Sequence, residues 1–199
     1  MIVRYLTHPQ VAIDPSVPVE RWGLNAAGSG RVAALAASGA LQGTRVVVSS
    51  GETKAADTAA PLAAALGVEH RVREGMHEND RSATGFLPPA EFEQVAAQFF
   101  AAPEKSVRGW ERAIDAQTRI VRETLAALAK APAGDVLLVG HGAVGTLLMC
   151  HLAGWAIDRS RDQPGGGGGN FVAFERDGLR LLHDWAPMET IRADEAQAT

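Results

Sequence analysis

The sequence predicts an α/β protein: a mostly parallel sheet held as the middle layer of a three-layer sandwich, with helices on both faces. Two observations carry this. Short β-branched or apolar runs alternate along the chain with longer segments of helical spacing. The ends of three such runs bear His8, Ser49-Ser50 and His141, and open α/β sheets bind ligands beyond the carboxyl ends of their parallel strands.

Residues 2–7 form a short β-prone run stopped by Pro9, which also disfavours α conformation at His8. The two prolines within 15–22 mark a loop. Residues 27–40 are alanine-rich, with Val32, Leu35 and Ala36 at helical spacing. Residues 44–48 are a β-branched run typical of a buried strand, closed by Ser49-Ser50-Gly51. A helix is expected over 52–66, with Gly67 as its stop. Residues 68–72 suggest a weaker third strand, and 79–89 a loop rich in polar residues, Gly and Pro.

Helical patterns then occupy 89–100 and 107–131. In the second, Val107, Trp110, Ile114, Val121, Leu125 and Leu128 fall on one face. Residues 135–139 read as another strand, ended by Gly140-His141-Gly142, with a helix over 143–152. The five glycines at 165–169 indicate a mobile loop. Two closing strands, 171–175 and 179–185, are joined through Asp177-Gly178. Residues 188–199 read as a polar tail. With no repeat and no linker composition, the expectation is one domain over 1–199.

Composition excludes several classes. At 199 residues with 46% hydrophobic content the chain can bury a sizeable core. The net charge of −4 and the mixing of both signs give no basic stripe for nucleic acid and no polybasic patch for membranes. No apolar run approaches the roughly 20 residues that span a bilayer, and the N-terminus lacks a signal-peptide pattern. The single cysteine, Cys150, allows no internal disulfide, so a cytoplasmic location is expected. His70, His77, His151 and His183 show no metal-ligand spacing, so neither metal nor cofactor is expected. A homodimer is left open.

A single histidine at a strand end is ordinarily a hydrogen-bonding residue. His8 and His141 occupy equivalent ends of two strands, and together they suggest shared chemistry. Imidazole is about half unprotonated near its unperturbed pKa of about 6.5 and so is a competent nucleophile. A second, protonated imidazole can neutralise a transferring phosphoryl oxygen.

Five segments stand in order between residues 2 and 154: Thr7-His8-Pro9-Gln10, Leu24-Asn25 to Arg31-Val32, the block from Ser49 to Ala59, Met76-His77-Glu78 and Val139-Gly140-His141-Gly142. In these the chain resembles the histidine phosphatase (phosphoglycerate mutase-like) superfamily. Thr7-His8-Pro9-Gln10 resembles the family's Arg-His-Gly-Glu. Leu24-Asn25 to Arg31-Val32 is similar to its approach to the first helix. Ser49-Ser50-Gly51-Glu52-Thr53-Lys54-Ala55-Ala56-Asp57-Thr58-Ala59 is similar to Ser-Ser-x-x-x-Arg-Ala-x-x-Thr-Ala. Met76-His77-Glu78 matches Leu-x-Glu, and Val139-Gly140-His141-Gly142 the second histidine block.

The resemblance implies a phosphoglycerate mutase-like fold and metal-independent hydrolysis of small phosphomonoesters. His8 would become a phosphohistidine, Glu78 would act as general acid and base, and His141 and Lys54 would hold the phosphoryl oxygens. It also makes 79–106 a cap-like insertion over the substrate, whose apolar residues, with Trp22, would favour a partly apolar ligand.

Two departures matter. Thr7 and Lys54 stand where the family has arginines, and neither offers a planar bidentate fork. Losing one preorganised donor costs roughly a hundred- to a thousandfold in rate. Arg4, an even number of positions from His8, and Arg81 are candidates to compensate. The departures motivate an alternative, a catalytically weak or inactive domain that binds phosphorylated ligands. A remoter one is a nicotinamide-dependent oxidoreductase: residues 140–145 satisfy G-x-G-x-x-G, with Asp158 and Asp162 near the spacing of a ribose-binding acid.

Overall fold

The computed structural model describes residues 1–193. Its sheet has the strand order β3-β2-β4-β1-β5-β6. Strands β1 (Ile2–Thr7), β2 (Thr44–Ser49), β3 (Glu69–Val72) and β4 (Asp135–Gly140) run parallel, while β5 (Asn170–Glu175) and β6 (Leu181–Pro187) are antiparallel additions. Runs such as Val46-Val47-Val48 are apolar at every position because both sheet faces are covered.

The period of two divides each central strand between two cores. Ile2, Leu6, Val47, Leu137 and Val139 pack under α1 (Ala26–Ala37) and α2 (Thr53–Leu66). Val3, Tyr5, Val46, Val48 and Leu138 face the opposite layer of α3 (Pro89–Ala101), α4 (Ala113–Lys130) and α5 (Gly142–Ala153). The expected α/β sandwich with helices on both faces is therefore observed. Gly67 ends α2 at φ 65° as anticipated, and Asn25 caps α1 by accepting from the Gly28 N–H.

The expected helix over 107–131 begins only at Ala113. Arg108 and Gly109 take positive φ, 52° and 83°, and break it. Trp110 is still buried, but from a loop, its indole N–H donating to Thr84 Oγ1 at 2.8 Å. The buried face of α4 is Ala113, Ala116, Ile120, Thr124, Ala127 and Leu128, whereas Ile114 and Leu125 are exposed. Small side chains at three of these positions let the helix approach its neighbours closely, and Ile114 and Leu125 fall outside that seam.

The tail reading also changes at its start. Met188 and Ile191 are buried in the α1–α2 core, so the chain is anchored past β6; residues 194–199 lie outside the described residues. No helix among the described residues is long and apolar enough to cross a membrane.

Candidate active site

β1 and β4 are adjacent and parallel, with Thr7 opposite Gly140, so the residues that follow them emerge side by side. The His8 N–H donates to the Gly140 carbonyl at 3.0 Å. The rings of His8 and His141, remote in sequence, lie with centroids 5.3 Å apart and nearly edge to face. His8 Nδ1 is 2.9 Å from the Pro9 carbonyl. A carbonyl only accepts, so Nδ1 carries the proton and Nε2 keeps its lone pair. Burial pulls the His8 pKa down to about 4, so the ring is neutral near neutral pH.

His141 is fully buried. Its N–H donates to the Tyr5 hydroxyl, and its Nε2 lies 2.9 Å from Ser50 Oγ and 3.4 Å from Glu52 Oε1. Its Nδ1 has no hydrogen-bond partner among the described residues. Burial drives its pKa well below the ordinary value, against the opposing pull of Glu52.

Glu78 lies on the wall of the same cavity of about 380 Å³ as His8, with Asn79, Arg81, Gly142 and Gln163. Its carboxyl group accepts from the Ala143 and Val144 N–H groups at 3.2 and 3.1 Å, at the N-terminus of α5. Burial raises its pKa, Arg81 works against that, and neighbouring Glu52 adds to the rise. Beside it Asn79 is buried, its Nδ2 without a partner among the described residues.

Sequence reasoning missed Glu52. This carboxylate accepts from the Glu78 N–H at 2.8 Å and pairs with Lys54, whose Nζ also donates to the Val19 carbonyl at 2.9 Å. Burial opposes its ionisation, but His141 and Lys54 favour the carboxylate and hold the pKa at about 2. Because His141 is itself neutral near neutral pH, Lys54 is the operative partner there. Lys54 is thus a buried, neutralised cation rather than a free one. The signal was an acid two residues before a lysine in a helix's first turn, and it reads equally as a surface pair.

The other arginine substitutes also depart from expectation. Arg4 is buried and reaches Asp135 Oδ2 at 3.4 Å and the Arg192 carbonyl at 2.8 Å. Asp135 opens β4, so Arg4 points toward the opposite end of the sheet from His8 and does not compensate. The Thr7 hydroxyl lies 2.8 Å from Gln163 Oε1 and 3.1 Å from the Asn170 carbonyl, and it accepts from the Asn170 N–H at 3.0 Å. It orients Gln163 instead of facing the cavity. Asn170 Nδ2 also donates to Gln163 Oε1, at 3.2 Å, so the Gln163 amide nitrogen is turned away from both, toward Gly142. A Cβ at Gly142 would lie 2.3 Å from that nitrogen. Gln163, too, was missed. Arg81 remains at the cavity, its guanidinium 5.0 Å from the Phe92 ring centre.

The glycine run is not uniformly loose. The Gly169 N–H donates to the His8 carbonyl at 3.1 Å, and Arg31 donates to the carbonyls of Gly168 and Gly169, each at 3.0 Å. The dinucleotide reading fails. The next strand after α5, β5, runs antiparallel to β1. Gly140 and Gly145 admit Tyr5, while Asp158 and Asp162 accept from Ser160 and Thr146.

A family model for the histidine phosphatase superfamily (branch 1) matches residues 19–183. Among solved structures, the chain is similar to a mycobacterial glucosyl-3-phosphoglycerate phosphatase in complex with inorganic phosphate, at 20% identity and a TM-score of 0.75, covering 95% of this chain and 99% of that one. It is similar as well to YhfR of Bacillus stearothermophilus, at 18% identity and a TM-score of 0.73, covering 97% and 96%. No curated protein sequence matches significantly. At such identities the structures establish the shared fold, while the family model spans most of the sequence. The chain belongs to the histidine phosphatase superfamily.

Proposed function

We propose that the protein hydrolyses small phosphomonoesters through a phosphohistidine on His8. The observation that carries this is the 5.3 Å approach of the His8 and His141 rings, in a cleft whose wall also holds Glu78. His8 Nε2 attacks phosphorus, forming the P–N bond as the ester P–O bond breaks. Glu78, kept protonated to higher pH than an ordinary carboxyl, gives its proton to the leaving alkoxide. Water then attacks phosphorus, returning a proton to Glu78 as the P–N bond breaks and phosphate leaves. His141, Arg81, and the amides of Gln163 and Asn79 are the donors assigned to the phosphoryl oxygens. Lys54 acts at one remove, by fixing Glu52.

The test is turnover of an aryl phosphate between pH 5 and 8. His8→Ala is expected to lower kcat by roughly a thousandfold or more, and a denaturing quench at alkaline pH, where a P–N bond survives, should trap phosphate on the wild-type chain only. Glu78→Gln should slow alkyl esters by roughly 10²- to 10⁴-fold, and aryl esters less, since a phenolate leaves without a proton. The neutralisation of Lys54 by Glu52 favours a second reading, a domain that binds phosphorylated ligands without turning them over. Phosphate binding with no hydrolysis of any ester would select it.

A further inference from the structure

A second cavity, of about 580 Å³, adjoins the His8 cleft and shares Arg81, Phe92, Glu93, Gly166 and Gly167 with it. Its wall is apolar: Val11, Ile13, Val19, Trp22, Phe86 and Phe92. Trp22 and Phe86 stack obliquely at 5.6 Å. Two of these side chains are large apolar groups left in water, Ile13 at 62% and Phe86 at 38% exposure, an arrangement that favours covering by a ligand.

Most polar groups on this wall are already engaged. The Trp22 indole N–H donates to the Asp14 and Val17 carbonyls. Asn25 is held by the Gly28 N–H and the Val11 carbonyl. The Gln10 amide oxygen accepts from Arg31, and Glu93 pairs with Arg159. The remaining side-chain donors on this wall, among the described residues, are the Gln10 amide N–H groups, set against Gly167, and Arg81, both at the boundary with the His8 cleft. The wall thus places donors near the phosphate and few farther out.

We infer that the substrate is the phosphate ester of an uncharged, largely apolar alcohol, with an aromatic or branched body seated between Trp22, Phe86 and Phe92 and its phosphate reaching His8 past Arg81. A sugar or glycerate would bury hydroxyl and carboxylate groups without partners, each costly. The inference rests on the hydrolase reading for its chemistry but on this wall for its selectivity.

The test compares 2-phenylethyl phosphate with glycerol 3-phosphate, both primary alkyl esters, so that leaving-group acidity does not decide the result. In the wild type the phenylethyl ester is expected to have a kcat/KM higher by roughly 10- to 100-fold, and Phe86→Ser or Ile13→Ser should shrink that ratio by about tenfold. Calorimetric titration of His8→Asn with both esters reads the same preference in Kd, without turnover. Equal or reversed preference in both measurements overturns the inference. Loss of turnover in the wild type with the Kd preference intact, and its collapse in Phe86→Ser, overturns the hydrolase reading and leaves the apolar subsite standing.

Discussion

At the scale of single residues, Thr7 and Lys54 remove the two guanidinium groups expected around the phosphate, and their neighbours reshape the site. Glu52 cancels Lys54. Thr7 and Asn170 together grip one end of the Gln163 amide and present the other toward Gly142, at the rim of the His8 cleft. On the proposed function, this neutral amide donor takes the place of a missing charge. Gln163→Leu is expected to weaken inhibition by vanadate and to lower kcat/KM by roughly 10- to 100-fold, the range for a hydrogen bond to a charged group. Thr7→Val, which frees the amide without deleting it, should cost less, and Thr7→Ser should retain activity. Inhibition constants unchanged in Gln163→Leu would remove the residue from the site.

At the scale of elements, the glycine run separates into parts with different duties. A Cβ on Gly168 would lie 2.1 Å from the His8 carbonyl, at φ 72°, whereas one on Gly166 meets nothing within 4 Å. Gly168→Ala is thus expected to displace the loop from His8 and to destabilise the protein by at least about 1–2 kcal/mol, while Gly166→Ala stays within roughly 0.5 kcal/mol. Denaturant midpoints and kcat for the pair would show it.

The same scale shows what could be read beforehand. Buried strands announce themselves by apolar, often β-branched runs, so β1, β2 and β4 were legible, as were His8 and His141 at the ends of β1 and β4. The adjacency of β1 and β4 was not, because it depends on sheet order and not on any local pattern. Helix α4 was misjudged because hydrophobic size points to Ile114 and Leu125, whereas close packing selects Ala113, Ala116 and Ala127. Glu52 and Gln163 were illegible for a related reason: their settings come from residues remote in sequence, Glu78 and His141 for Glu52 and Thr7 for Gln163. Only the tertiary fold brings these together.

At the scale of the whole molecule, the site carries a pH-dependent cost. His8 is neutral in the folded chain down to about pH 4, and His141 is held neutral by burial too. In the unfolded chain both take up protons from about pH 6.5 downward. As pH falls below that value the unfolded state binds more protons, and stability drops. Glu52 adds to the loss lower down: its folded pKa of about 2 lies below the unfolded value of about 4.3, so the stability it contributes disappears as pH falls from about 4 to 2. Glu78 opposes, since its raised folded pKa costs stability as pH rises above about 4.3, but it is one group against two histidines. The nearby Lys54 and Arg81 add to burial in disfavouring imidazolium on both rings. The melting temperature is therefore expected to fall between pH 7 and pH 4, by roughly 2–4 °C for each kcal/mol lost. His8→Asn, which removes one titrating ring, should flatten that slope and raise stability relative to the wild type at pH 4. A wild-type melting temperature that is level or rising toward pH 4 would show that the two rings are not held neutral by the fold, and the lone pair assigned to His8 Nε2 would lose its physical basis.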